Sequence, residues 1–173
     1  MNPEAVLVEA TRQSIELSAF VWRTRTRSLT PEMFCESEAE QLETPAIAAA
    51  ENLKLDMETS IIPIDVASFQ TRKRLALRML LHPIEAVTVI SRFHGGNVDV
   101  CSLDEVREWR GGFMKACPTA YGILFTDRES HMRDEILRYL SRDSKNGPVA
   151  VLVGVSHLEA MYDLLLDSFI SHS

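Results

Sequence analysis

The chain has 173 residues, of which 46% are hydrophobic and 25% are charged, and its formal net charge is −7. This length is sufficient for a sizeable core, and we expect one domain over residues 1–173. The negative charge argues against broad, charge-driven binding to nucleic acid. The three cysteines, Cys35, Cys101 and Cys117, are scattered and odd in number, which favours a reducing compartment over a disulfide framework.

The first residues of the sequence do not have the pattern of a signal peptide. Residues Met1–Val8 lack both the basic segment and the long apolar segment of a signal peptide. No apolar stretch approaches the ~20 residues that a membrane helix requires. Together with the cysteine count, these observations predict a cytoplasmic protein without a membrane span.

Three apolar runs of strand length are separated by long helical patterns. Pro63 removes one possible ladder hydrogen bond from the second run, so we expect that strand to be short or to lie near a sheet edge. Strands that alternate with helices predict an α/β fold with a small, mostly parallel sheet and helix-rich connections. The three predicted strands are Ala5–Ala10, Ile61–Val66 and Val149–Val153.

Apolar residues at helical spacing occupy most of the remaining chain. Pro83 interrupts this pattern, and Thr126 with Glu129 has the spacing of a capping box, which predicts a helix start at Thr126. The segment Cys117–Phe125 is ambiguous. The predicted helices are 11–22, a stretch that opens at Pro31, 46–55, 68–81, 84–93, 103–115, 126–141 and 158–170.

A polar residue lies at or just beyond the end of each predicted strand: Glu9, Asp65 and His157. Because ligands collect at the carboxyl ends of parallel strands, these residues could share one crevice. Two carboxylates and an imidazole could bind zinc or manganese, or act as general acid and base. Alternatively, the carboxylates cap the helices that follow and His157 is an ordinary turn residue. The residues alone leave both interpretations open.

Other reactive side chains have simpler interpretations. The basic residues of the predicted helix 68–81 could clamp an anion, but we expect a solvated helix face. The cysteines are expected to pack in the interior, and the four remaining histidines to lie on the surface or in turns. The basic residues are Arg72, Lys73, Arg74 and Arg78, and the histidines are His82, His94, His131 and His172.

Four motifs, in this order, resemble the TraB/PrgY (pheromone-shutdown) family, which is related to the GumN and Tiki proteins. The family's first Gly-x-x-His strand has no counterpart here, so the chain resembles an N-terminally truncated or degenerate member. The matching motifs are Glu9-x-x-Arg12 after the first strand, Asp65 with Thr71–Arg74, the polar helix start Asp127–Met132, and Gly154-Val-Ser-His157.

The resemblance implies a TraB-like α/β domain and a metal-dependent hydrolase or peptidase acting on a peptide or small molecule. In that interpretation Glu9 is a ligand or general base and His157 is a ligand of zinc or manganese. Asp65, by its position at the end of the second strand, is the third candidate metal ligand. Arg12 and Arg74 would stabilise an anion.

Two other interpretations remain beside the enzyme. One is a non-catalytic binding or regulatory module with the same fold. The other is a chain that starts at an internal methionine of a longer protein. A missing first strand would leave a sheet edge unpaired, which favours a homodimer.

Overall fold

The computed structural model describes residues 5–9, 60–66, 68–93, 98–99, 102–141 and 147–170. The predicted helices before residue 60, Arg12, Cys35, Cys101, His94 and His172 lie outside these ranges. The chain divides into two compact units, one of Met1–Ala67 with Glu135–Val153 and one of Ser68–Asp134 with Gly154–Ser173. That the chain forms one domain stays a prediction.

The first unit contains a three-stranded parallel sheet with the strand order β2-β1-β3. Its strands are β1 (Ala5–Val8), β2 (Ser60–Pro63) and β3 (Val149–Leu152). Ala5 lies opposite Ser60 on one side and Val149 on the other. All four residues of β1 are fully buried, as expected for the apolar central strand of a parallel sheet. The sheet confirms the predicted α/β fold with a small, mostly parallel sheet, and Pro63 lies on an outer strand of the described sheet as predicted.

Helices make up most of the described chain. None of those in the described ranges is both long and apolar enough to cross a bilayer. Two of them continue directly into a π-helical turn. The helices are α1 (Ser68–Leu81), α2 (Pro83–Thr88, continuing as Val89–Phe93), α3 (Leu103–Ala116), α4 (Pro118–Tyr121, continuing as Gly122–Thr126), α5 (Asp127–Ser141) and α6 (Val155–Ile170).

The core of the second unit is aromatic. Phe113 stacks on Trp109 with ring centroids 5.6 Å apart and meets the edge of Phe125 at 6.0 Å. Cys117 is fully buried in this cluster, which confirms its predicted packing role. Leu75 and Met79 of α1 pack against the same cluster.

The segment that was ambiguous in sequence is helical because a distant carboxylate caps it. Glu85 of α2 accepts hydrogen bonds from the backbone N–H groups of Thr119 and Ala120 at 2.9 and 3.2 Å, and from the Thr119 hydroxyl at 2.8 Å. Pro118 occupies the first helical position, where its missing N–H costs nothing. A tertiary contact therefore starts α4.

The predicted capping box at Thr126 is wrong. Thr126 lies in the π-helical turn, and Asp127, where α5 begins, follows with helical dihedral angles (φ −66°, ψ −39°), so the backbone lacks the non-helical N-cap residue that a capping box requires. Glu129, assigned as the second residue of the box, is instead only 4% exposed. Its carboxylate contacts His157 and Arg110.

Candidate functional site

His157, Glu129 and Arg110 form a buried network of hydrogen bonds in the second unit. The His157 Nδ1 atom lies 2.8 Å from Glu129 Oε1, and Arg110 Nη2 lies 2.9 Å from the same oxygen. The side chains of His157, Glu129 and Arg110 are 3%, 6% and 13% exposed. Because a carboxylate only accepts hydrogen bonds, His157 Nδ1 is the donor of this contact, and in the tautomer that carries its proton on Nδ1 the Nε2 atom is the one that could ligate a metal.

Several further contacts hold Arg110 in place. Its Nε and Nη2 atoms donate to the Tyr121 hydroxyl at 3.2 and 2.5 Å, and its Nη1 atom donates to the backbone carbonyl of Ser156. The guanidinium carbon lies 4.8 Å from the centre of the Phe125 ring. Since Ser156 directly precedes His157, Arg110 anchors both the carboxylate and the backbone beside the imidazole.

Each charged or polar member of the network lies on the buried side of a helix. His157 is the third residue of α6, which begins three residues earlier than the sequence predicted. The neighbours at helical spacing are buried apolar residues: Val106 and Phe113 beside Arg110, Met132 beside Glu129, and Met161 beside His157. The same periodicity that builds the core thus brings the three polar groups inside it.

The burial of these groups indicates more than a contribution to stability. Removing a carboxylate and a guanidinium from water costs several kcal/mol per ion, and apolar residues of similar volume often stabilise a core equally well. A buried ionic cluster beside a cavity is therefore a candidate functional site.

A cavity of about 260 Å³ lies next to the network, between α3 and α6. Arg110, Tyr121 and Ser156 form part of its lining, and Arg107, Glu159 and Asp163 supply further charged groups. Its volume suits a small polar molecule or one side chain of a peptide, and is below the range typical of larger ligands.

Arg107 and Glu159 form a two-point ion pair in the cavity lining. Arg107 Nε donates to Glu159 Oε2 at 3.2 Å and Nη2 donates to Oε1, while Nη1 donates to Asp104 at 2.6 Å. The hydrogen bond between Arg107 and Glu159 lowers the pKa of Glu159 and raises the pKa of Arg107. Both side chains therefore keep their charges at neutral pH.

Two predicted ligands, Glu9 and Asp65, lie in the first unit. Glu9 follows β1 and its backbone N–H donates to the Leu152 carbonyl at 2.8 Å. Asp65 follows β2, and its Oδ1 atom accepts a hydrogen bond from the Val66 N–H at 2.7 Å. Because His157 belongs to the other unit, the shared site of these three residues stays a prediction.

Of the two predicted anion-stabilising arginines, Arg12 lies outside the described residues. Arg74 Nη2 on α1 lies 2.5 Å from Asp127 Oδ2, and both side chains are about half exposed. Arg72, Lys73 and Arg78 are exposed, which confirms the predicted solvated face. Of the two predicted anion-stabilising arginines, then, Arg74 has a described place, in an ion pair between α1 and α5.

Sequence reasoning missed Arg110 and Tyr121 and assigned Glu129 a capping role. A signal for Glu129 was present, because its spacing to Met132 and Ile136 places it on the buried stripe of α5. The spacing of Arg110 to Val106 and Phe113 likewise places it on the buried stripe of α3. Tyr121 offered no comparable signal, since it lies in the segment that α2 caps.

The described residues meet the requirements of a metal site only in part. Within the described ranges, no three His, Cys, Asp or Glu side chains lie close enough together to hold an ion. Arg110 lies 2.9 Å from Glu129 Oε1, so a cation at that oxygen would meet an adjacent positive charge. In this unit Glu129 is therefore placed as the hydrogen-bond partner of His157 and Arg110.

A scan against protein-family models and searches of curated proteins and of solved structures gave no match to this chain. Membership of the TraB/PrgY family thus stays a prediction that depends on motifs. Two contacts join residues of those motifs: Arg74 pairs with Asp127, and Glu129 pairs with His157.

Proposed function

We propose that the chain is a TraB-like metal-dependent hydrolase in which His157 supplies an imidazole ligand and Glu129 orients it. One observation carries the proposal: the buried 2.8 Å contact between His157 Nδ1 and Glu129. Histidines that bind metals almost always donate their other ring N–H to a carboxylate, a carbonyl or water, which fixes the tautomer and makes the ligand more basic.

The contacts between motifs support the same proposal. Glu129 belongs to the polar helix start Asp127–Met132, and His157 ends the Gly-x-x-His motif. The two are 28 residues apart in sequence, and each motif was weak when taken alone. If the two motifs belong to one site inherited from the family, residues of the two motifs must lie in contact, as Glu129 and His157 do.

The chemistry assigned to each group is simple. A bound zinc or manganese ion would polarise a substrate carbonyl and activate water. His157 would hold the ion through Nε2, while Arg110 and Tyr121 keep the Glu129 carboxylate in position. The cavity beside them would take part of a peptide or a small molecule, and the odd, scattered cysteines favour a cytoplasmic location.

A non-catalytic binding or regulatory module is the second candidate. It is favoured by the charge balance of the network, in which Arg110 already neutralises Glu129. It is also favoured because the described residues contain no complete set of metal ligands. In this alternative the network shapes the cavity, and the cavity binds a ligand without cleaving it.

Metal titration by calorimetry separates the two functions. We expect Zn²⁺ or Mn²⁺ to bind the 173-residue chain at one ion per chain. His157→Gln should abolish this binding, because glutamine is a poor metal ligand yet can still donate a hydrogen bond to Glu129. The matched control is His131→Gln, on α5, which should bind the ion as the unmodified chain does.

Circular dichroism confirms that both variants are folded before titration. If the unmodified chain binds no ion, or if His157→Gln binds as tightly as His131→Gln, the metal site is ruled out. The binding module is then the remaining function, and a thermal-shift screen with small polar molecules against a cavity-lining variant, Ser156→Trp, would test it.

A further inference from the structure

Three helices of the second unit carry exposed apolar residues, and on α1 and α6 these form rows flanked by charged residues. The third helix is α2, with Ile84, Val87 and Ile90. On α1, Phe69, Leu77 and Leu80 are 72%, 56% and 79% exposed. On α6, the exposed row is Leu158, Tyr162, Leu166 and Phe169. Both rows occupy positions i, i+4, i+8 and i+11 of their helices. In the α1 row the i+4 position is held by Lys73 rather than by an apolar residue. Each row spans 12 residues and is therefore about 16 Å long.

The outward row of α1 is not needed for the core of its own unit. Leu75 and Met79, on the opposite side of the helix, already pack against the aromatic cluster. The exposed residues form a second row on α1, and exposed apolar residues bordered by charges are typical of an interaction site.

The charges beside the two rows have opposite signs. On α1, Arg74 and Arg78 lie at positions i+5 and i+9, and Lys73 lies within the row. On α6, the exposed residues at i+1, i+5 and i+9 are the carboxylates Glu159, Asp163 and Asp167. Glu159 already pairs with Arg107 of the same chain, so Asp163 and Asp167 are the anions that this face offers to a partner. One chain thus presents an apolar face with cations and an apolar face of equal length with anions.

We infer that the partner for these faces is a second copy of this chain, with α1 of one copy packing along α6 of the other. In a two-fold dimer this contact occurs twice, because each copy contributes both faces. Apolar side chains would supply most of the affinity, and the opposite charges would select the partner and the register.

The charge pattern favours this partner over an anionic membrane. A lipid surface would attract the basic face of α1, but it would repel the carboxylates that accompany the apolar row of α6. Packing α1 of one copy along α6 of a second copy would cover both apolar rows and would place cations opposite carboxylates. The inference is independent of the proposed hydrolase.

Sedimentation velocity over a range of protein concentrations tests the contact. We expect a reversible dimer that weakens as salt increases from ~0.05 to ~0.5 M. Lys73→Glu/Arg78→Glu on α1 and Asp163→Lys/Asp167→Lys on α6 should each raise the dissociation constant by at least ~10-fold, because each places like charges opposite one another. Arg74 is left unchanged because it pairs with Asp127.

An equimolar mixture of the two charge-reversed variants provides the sharper test. In the mixed dimer both α1–α6 contacts again join opposite charges, so dimerisation should recover to within ~10-fold of the unmodified chain. The control is Lys115→Glu/Arg138→Glu, at exposed positions of α3 and α5. It changes the net charge by the same amount as the α1 variant and should leave the dimer intact.

Four results would overturn the inference. The first is a chain that stays monomeric at all concentrations, and the second is a dimer that both charge-reversed variants retain. The third is a monomer that co-sediments with phosphatidylserine vesicles through Lys73 and Arg78, which would assign the α1 face to a lipid surface. Failure of the mixture to recover would likewise exclude the paired contact.

Discussion

At the scale of single residues, α5 carries two carboxylates in very different settings. Glu135 pairs with Arg138 at 2.6 Å on the surface, where the arginine side chain is 56% exposed. Glu129 pairs with Arg110 and His157 in the interior. An exposed pair contributes ~0–1 kcal/mol because water screens it. Breaking a buried pair costs more, because it leaves a charge without its partner.

We therefore expect Glu129→Gln to lower the free energy of unfolding by ~3–5 kcal/mol. The amide keeps the shape of the side chain but is neutral, so Arg110 loses its buried counter-charge. Urea denaturation, followed by circular dichroism, measures the change.

Glu135→Gln makes the same chemical change on the same helix and serves as the control. It should alter the free energy of unfolding by less than ~0.5 kcal/mol. Similar small effects of the two substitutions would contradict the assignment of a buried, strongly coupled network.

At the scale of helices, α3 and α6 are joined by the ion pair between Arg107 and Glu159. The hydrogen bond from Arg107 lowers the pKa of Glu159 in the folded chain. A carboxylate with a lowered folded-state pKa stabilises the fold at pH values above its unfolded-state pKa. This stabilisation is lost as the pH falls through the folded-state pKa, since the unfolded state then binds more protons.

We expect the stability difference between the unmodified chain and Glu159→Gln to be largest near neutral pH and to shrink between about pH 5 and pH 2. Denaturation midpoints at a series of pH values measure this difference. Asp134→Asn, which removes a carboxylate from the surface of α5, controls for the general effect of charge. A pH-independent difference for Glu159→Gln would show that the pair does not couple the two helices.

At the scale of the whole molecule, the order β2-β1-β3 makes β1 the strand that pairs on both sides. β1 is fully buried, whereas the residues of β2 and β3 are partly or fully accessible. Opening β1 requires its hydrogen bonds to both β2 and β3 to break, whereas opening β2 breaks only the hydrogen bonds between β2 and β1. The sheet should therefore unfold from its outer strands inward.

Amide hydrogen exchange measured by NMR tests this order. We expect the amides of Val6–Val8 that donate within the sheet to exchange at least ~10-fold more slowly than those of Ile61 and Ile62. Amides that do not donate to the sheet are the internal reference. Equal protection of β1 and β2 would contradict the central position of β1.

The features that the sequence predicted correctly depend on residues close together in the chain. The apolar runs at residues 5–8 and 149–152 formed strands, and α1 took its predicted limits because periodic apolar residues stop before Pro83. The alternation of strands and helices predicted the α/β class. Local preference and periodicity need no knowledge of distant neighbours.

The candidate site was predicted less well, since each of its members depends on a partner far along the chain. Glu129 and His157 are 28 residues apart, Arg110 and Ser156 are 46 apart, and Thr119 lies 34 residues from the Glu85 that caps α4. The sequence alone determined where His157 lies relative to a strand and a helix. Only the tertiary structure decided that a buried carboxylate and a guanidinium surround it, because desolvation and charge pairing depend on which helices pack together.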